Sequence, residues 1–239
     1  MTCLLVIAGT DSSGGAGLTR DTAVAQDLGL WIKPIITSVT AQSDCALHEI
    51  YPIPPATITA QIAAAFQTNS PNAVKIGMLG SSVAAEAVTK VLAQYDIPIV
   101  VDPVLKTSSG SALFSGPFPN KLFRKTDVLT PNLHEASILT NTPVAQCLNS
   151  VVEQAKLCRQ ITGAQSVLIK GGHSDHSQCT DILCDSDGIH QFSSLRIQIE
   201  KRGTGCTLAT AIACFRAKGF TAHDACHEAK KYVTNWINS

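Results

Sequence analysis

The sequence is short of net charge: its 18 Lys and Arg stand against 18 Asp and Glu over 239 residues. No basic stripe is visible, which argues against nucleic acid or an anionic membrane as a partner. No apolar run approaches the length needed to span a bilayer. The opening Met1-Thr2-Cys3-Leu4-Leu5-Val6-Ile7-Ala8 lacks the basic region of a signal peptide and runs into a Gly-rich turn, so it reads as a first strand. Nine cysteines are an odd number and none form Cys-x-x-Cys, which fits reduced thiols in the cytoplasm better than a disulfide framework. Two clusters, His173-x-x-His176-x-x-Cys179 and His223-x-x-Cys226-His227, fall short of a four-ligand zinc pattern. Repeats, low-complexity tracts and linkers are also missing, so one domain over residues 1–239 is expected.

What is present is an alternation of apolar strands and amphipathic helices, and 45% hydrophobic residues to build a core. Strands are expected at Cys3–Ala8, Ile35–Val39, Asn72–Gly77, Ile97–Val101, Asp127–Leu129 and Ser166–Lys170. Two more, Asp181–Cys184 and Ile189–Ile199, are joined by the hairpin signal Asp187-Gly188. Helices are expected over about 18–28, from Pro54 and Pro55 to Thr68, from Ser81 or Ser82 to Tyr95, from Asn132, over Ser150–Thr162, and twice after Gly203. This order predicts an α/β fold, a largely parallel central sheet flanked by helices on both faces. The turns that follow the strands then gather on one edge of the sheet, where such folds bind ligands.

Those turns carry the chemistry. Arg202-Gly203-Thr204-Gly205-Cys206-Thr207 joins a strand-like run to an apolar-periodic helix. Its glycines allow close backbone approach, and the helix start presents free N–H groups to an anion such as a phosphate. Cys206 falls at that mouth, where a helix N-terminus lowers a thiol pKa. The loop Gly9-Thr10-Asp11-Ser12-Ser13-Gly14-Gly15-Ala16-Gly17 has neither the Walker Lys nor the Gly-x-Gly-x-x-Gly spacing, and reads as the lining of a small-molecule pocket. Gln42 lies beyond a strand end, where an amide can both donate to and accept from a heteroaromatic ring. Asp102 ends a buried strand, and Lys170 ends another beside Gly171 and Gly172, a position suited to phosphate. Thr107-Ser108-Ser109-Gly110-Ser111 reads as a polar loop. Asn132 and Glu135 have the spacing of a helix cap.

Taken together these turns resemble the hydroxymethylpyrimidine/phosphomethylpyrimidine kinases of thiamine biosynthesis, within the ribokinase-like superfamily. The resemblance rests on the Gly9–Gly17 loop, Thr40-Ala41-Gln42, Lys75-Ile76-Gly77-Met78-Leu79, Val101-Asp102-Pro103-Val104, Thr130-Pro131-Asn132-Leu133-His134-Glu135, Lys170-Gly171-Gly172-His173 and Gly203-Thr204-Gly205-Cys206-Thr207, in family order. It implies ATP-dependent phosphorylation of the aminopyrimidine hydroxymethyl group and then of the monophosphate. It implies that Gln42, Gly9, Asp21 and Met78 bind the pyrimidine, and that Lys170, Thr204 and Arg202 serve the nucleotide. Asp102 and Glu135 would act on Mg²⁺ through water. The amides of Gly203 and Gly205 would stabilise the transferring phosphoryl group, with Cys206 as base. A cytoplasmic homodimer is implied as well. The chain departs from the family at Arg202, where His is usual, at Arg20-Asp21-Thr22-Ala23, where the family's Lys is missing, and at Ser43-Asp44-Cys45-Ala46-Leu47. A pyridoxal kinase, whose substrate is also a flat heteroaromatic alcohol, and a non-catalytic pyrimidine-binding homologue are the alternatives.

Overall fold

The computed structural model describes residues 2–105, 113–171, 178–199 and 201–239. The polar loop of residues 107–111, Gly172, His173 and His176 lie outside the described residues. The first third holds β1 (Cys3–Ala8), α1 (Gly17–Asp27), β2 (Trp31–Ile36), β3 (Ser38–Gln42), β4 (Leu47–Pro52) and α2 (Pro55–Gln67). The middle holds β5 (Ala73–Ile76), β6 (Gly80–Ser81), α3 (Ser82–Leu92), β7 (Ile99–Val101), β8 (Phe114–Ser115), α4 (Asn120–Arg124), β9 (Val128–Leu129) and α5 (Leu133–Thr140). The last part holds α6 (Leu148–Thr162), β10 (Ser166–Ile169), β11 (Gln178–Cys184), β12 (Ile189–Leu195), α7 (Thr204–Ala217) and α8 (Ala222–Asn238).

The main sheet runs β12-β11-β10-β9-β7-β5-β1-β2 among the described residues. Six strands from β2 to β10 are parallel, and the β11–β12 hairpin adds two antiparallel strands at one edge. Side-chain alternation sorts the core onto both faces. Leu4, Val6, Val100, Val128 and Leu168 pack against α1, α7 and α8. Leu5, Ile7, Val74, Ile76, Val101, Leu129 and Ile169 face a second cluster that includes buried residues of α2, α3, α5 and α6. Burial on both faces explains why β1 reads as an unbroken apolar run.

The expected strand Ile35–Val39 is two strands. Its first half ends β2, and after Thr37 the chain leaves the main sheet for the separate β3–β4 hairpin. No Gly or Pro marks that junction, and Pro34 hides β2, which is an edge strand where a missing N–H is tolerated. On its outer side β2 is closed by Gln61, which accepts from Ile36 N (3.0 Å) and donates to Ile36 O (3.2 Å). Helix starts follow the local chemistry. Ser81 accepts from Ala84 N at 3.2 Å, and Asn132 and Glu135 form a reciprocal capping box. All nine cysteines are free thiols.

Candidate active site

The first turn of α7 is the centre of the site. Gly203 precedes it in the left-handed region at φ 77°, and a Cβ there would stand 2.2 Å from Gly15 O, so only glycine fits. No side chain caps the helix. Thr207 is the first residue of α7 to bond back, to Gly203 O at 2.8 Å, and the N–H groups of Thr204, Gly205 and Cys206 precede it. Gly205 faces the ends of two strands: a Cβ on it would lie 3.4 Å from Lys170 Nζ and 3.7 Å from Asp102 Oδ2. An ammonium, a carboxylate and a helix start therefore meet at one point, the chemistry of a phosphate site.

Lys170 follows β10, whose end is held by Lys170 N donating to Pro131 O at 2.9 Å. Its Nζ donates to Asp102 Oδ1 at 2.8 Å and stands 3.9 Å from Glu135 Oε2. Burial works against the ammonium, but Asp102 and Glu135 outweigh it and hold Lys170 firmly protonated. Glu135 accepts from Asn132 N (2.9 Å) and, more loosely, from Leu105 N (3.4 Å). Burial raises its pKa, and Lys170 opposes that rise. Both Glu135 oxygens are thus engaged, whereas Asp102 has Oδ1 on Lys170 and Oδ2 towards Gly205.

Among the residues expected to hold the substrate, Gly9 and Met78 come together: a Cβ on Gly9 would lie 3.1 Å from Met78 Sδ. Thr37 Oγ1 fixes Met78 by donating to its carbonyl at 2.6 Å. Gln42 ends β3 at a register shift in the hairpin. Its backbone is clasped by Ser12, whose Oγ accepts from Gln42 N (2.7 Å) and donates to Gln42 O (2.6 Å). The half-buried Gln42 is thereby placed against the Gly-rich loop.

One expectation changes, and two expected site residues are already partnered. Asp21 is fully buried, pairing with Lys75 Nζ at 2.8 Å and accepting from Thr210 Oγ1 at 2.7 Å. Arg202 is held by two carboxylates. Its Nη1 donates to Ser13 Oγ (2.7 Å), Asp44 Oδ1 (2.9 Å) and Ser43 O (3.3 Å), and its Nη2 to Asp11 Oδ2 (3.3 Å). Cys206 does not have a lowered pKa. Burial, with Asp21 and Asp102 nearby, pushes it up to about 11, against the pull of Lys75 and an N–H bond from Gly17. Cys206 as a whole residue is only partly buried.

Two residues of the quoted motifs were given no role of their own in the sequence. Lys75 is completely buried in β5, on the strand face turned towards α1 and α7. A lysine inside an apolar strand is itself the signal, since such a charge needs a buried partner. Burial disfavours its ammonium, yet Asp21, Cys206 and Asp102 together raise its pKa. Asp11 is the other: its Oδ1 accepts from Ser13 N and its Oδ2 from Ala16 N, each at 2.9 Å, which folds the Gly-rich loop.

The sequence profile of the phosphomethylpyrimidine kinases matches residues 11–239. The chain belongs to this family. It is 35% identical over 237 residues to the hydroxymethylpyrimidine/phosphomethylpyrimidine kinase of Escherichia coli K12, covering 97% of this chain and 89% of that one. The crystal structure of the phosphomethylpyrimidine kinase from Clostridium difficile 630 superposes with a TM-score of 0.85 at 30% identity, covering 99% and 100% of the two chains. The ADP complex of Bacillus subtilis pyridoxal kinase superposes at 0.89 with 30% identity, covering 98% and 91%. The fold of the family is the ribokinase-like one, and the mostly parallel sheet flanked by helices is that arrangement. Family members are kinases, so the phosphate chemistry of the α7 start has a matching activity class.

Proposed function

We propose that this protein transfers the γ-phosphoryl group of ATP to the hydroxymethyl group of 4-amino-5-hydroxymethyl-2-methylpyrimidine, and then to the resulting monophosphate, in thiamine biosynthesis. The carrying observation is the meeting of the α7 start with Lys170 and Asp102 at Gly205, in a chain of this family. Lys170, with Thr204 beside it, neutralises the phosphates, and the Gly203–Cys206 amides receive charge that develops on the transferring oxygens. Gln42, Gly9 and Met78 hold and orient the pyrimidine. Cys206 takes the hydroxyl proton at Sγ as the bond forms, acting from the small fraction of sites whose thiol has ionised. Asp21 acts through Lys75, not on the ring.

The donor set fits Mg²⁺, which prefers one or two carboxylates, phosphate oxygens and water. Asp102 Oδ2 turns towards the phosphate site, whereas Glu135 is committed to its cap and would reach the ion through water. When bound, the ion neutralises phosphate charge. The reading extends to one domain over residues 1–239, a homodimer, and the cytoplasm; no described helix is long and apolar enough to cross a membrane.

The likeness to pyridoxal kinases favours a B6 vitamer as the second reading. ADP release with Mg-ATP separates the two when hydroxymethylpyrimidine, its monophosphate and pyridoxal are run side by side. Turnover of both pyrimidines is expected. Turnover of pyridoxal alone would replace the proposal, and pyrimidine binding without ADP release would make the protein a binding homologue.

A further inference from the structure

The β3–β4 hairpin carries Gln42 and stands outside the main sheet. Two sets of bonds tie its Gln42 end down. One is to the Gly-rich loop, through Ser12 and through Thr40 Oγ1 donating to Thr10 O at 2.8 Å. The other is Arg202, which reaches Ser43 O and Asp44 at the hairpin tip. Arg202 immediately precedes Gly203, whose backbone lies against Gly15 O, and Gly17 N–H reaches Cys206 Sγ. One side chain thus bonds the hairpin tip and the Gly-rich loop while its backbone leads into the phosphate loop.

The two halves of this junction differ. Asp11 is buried, with 3% of its side chain exposed, and is fixed by backbone N–H groups, so its contact with Arg202 is an anchor. The Asp44 side chain is 78% exposed, so its bond to Arg202 is weak and screened by salt. That outer bond can open while the anchor holds.

We propose that Arg202 is a positioning residue that couples the pyrimidine side of the site to its phosphate side, so that each ligand raises the affinity for the other. A pyrimidine held at Gln42 settles the hairpin, the settled hairpin fixes Arg202, and a fixed Arg202 orders the Gly203–Cys206 amides before the nucleotide arrives. The ordering is then shared by both ligands instead of being repeated for each. Linkage makes the effect reciprocal. The inference rests on the pyrimidine kinase reading.

The test is calorimetric titration with hydroxymethylpyrimidine, with and without a saturating non-hydrolysable Mg-ATP analogue. In the wild type the analogue should tighten pyrimidine binding about fivefold or more, the low end of ordinary coupling. In Asp44→Asn and in Arg202→Met the ratio should fall to about one, and the double variant should lose no more than either. Asp44→Asn alters only an exposed side chain, so it keeps the experiment decisive if Arg202→Met folds poorly. Salt at about 1 M should move the wild type towards Asp44→Asn. A merely structural Arg202 would lower the melting temperature and both affinities while leaving the ratio alone, and that result overturns the proposal. So does a wild-type ratio of one. Absence of any pyrimidine binding by the wild type is a different failure, that of the functional reading, and the coupling falls with it.

Discussion

Cys206 lies under opposing influences. The α7 amides, Gly17 N–H and Lys75 favour a thiolate, whereas burial, Asp21 and Asp102 disfavour it and prevail in the free protein. With a pKa of about 11, the group is a thiol at neutral pH, and thiolate grows about tenfold per pH unit below that value. Alkylation of Cys206 should therefore be slow at pH 7.5 and accelerate steeply towards pH 10. Cys147 should react ahead of it, being exposed and having its pKa lowered by the Ser150 hydroxyl. Peptide mass mapping after brief iodoacetamide treatment reads the order, and early labelling of Cys206 would mean that the amides dominate. As the base, Cys206 should lose about 10²–10⁴ in kcat on change to Ala, and Ser should do little better. Wild-type turnover by Cys206→Ser would move the base elsewhere. Gln42→Leu should weaken pyrimidine binding by roughly 1–3 kcal/mol with ATP binding unchanged, since ring polar atoms would be left unpaired. Unaltered calorimetry would take Gln42 out of the pocket.

At the scale of the element, the start of α7 depends on Gly203. An alanine there meets Gly15 O at 2.2 Å in a left-handed backbone, so the Gly-rich loop or the helix start must move. Gly203→Ala should lose most turnover while keeping the far-UV spectrum, because the sheet and the α7 body do not use that turn. Full activity would show that the two loops give way cheaply. This turn was legible in the sequence only in company, because a lone Gly-x-Gly turn is a weak signal and the Gly9–Gly17, Asp102 and Lys170 turns gave it meaning. By contrast, β1, the Asn132 cap and the 187–188 hairpin were legible alone, each carried by a local rule. The β2–β3 junction and α4 were not: one lacks a turn residue and the other is a single five-residue turn of helix. The Arg202 contacts were hidden for another reason, since they join positions 158 to 191 residues apart that only the folded sheet brings together.

Across the whole molecule, strand alternation decides which residues meet. Gly9, Asp102, Asn132 and Lys170 all follow parallel strands and reach the same sheet edge. Lys170→Met should remove most activity with the fold kept, at a lowered melting temperature because the buried Asp102 and Glu135 carboxylates lose their cation. Normal kcat and normal ATP KM would refute its role. Lys75 is a different case, tying β5 to α1 and α7 from within. Lys75→Met strands the Asp21 carboxylate and should destabilise the fold by about 3–5 kcal/mol in urea titration. Adding Asp21→Asn should recover part of that loss, and a loss unchanged by the second substitution would mean that packing, not charge, is what Lys75 supplies.

The outer side of β2 bears on the behaviour of many copies at once. Trp31 and Thr37 turn their N–H groups inwards, to Thr2 O and Ala8 O, so the even positions of β2 face outwards. Of these, Ile36 has both backbone groups taken by Gln61, and Pro34 has no N–H to offer. A strand from another molecule therefore finds little to pair with along this border, which blunts edge-to-edge aggregation. Replacing Pro34 with Val and Gln61 with Leu would reopen it, and light scattering during concentration should rise in that variant well before any loss of native fold.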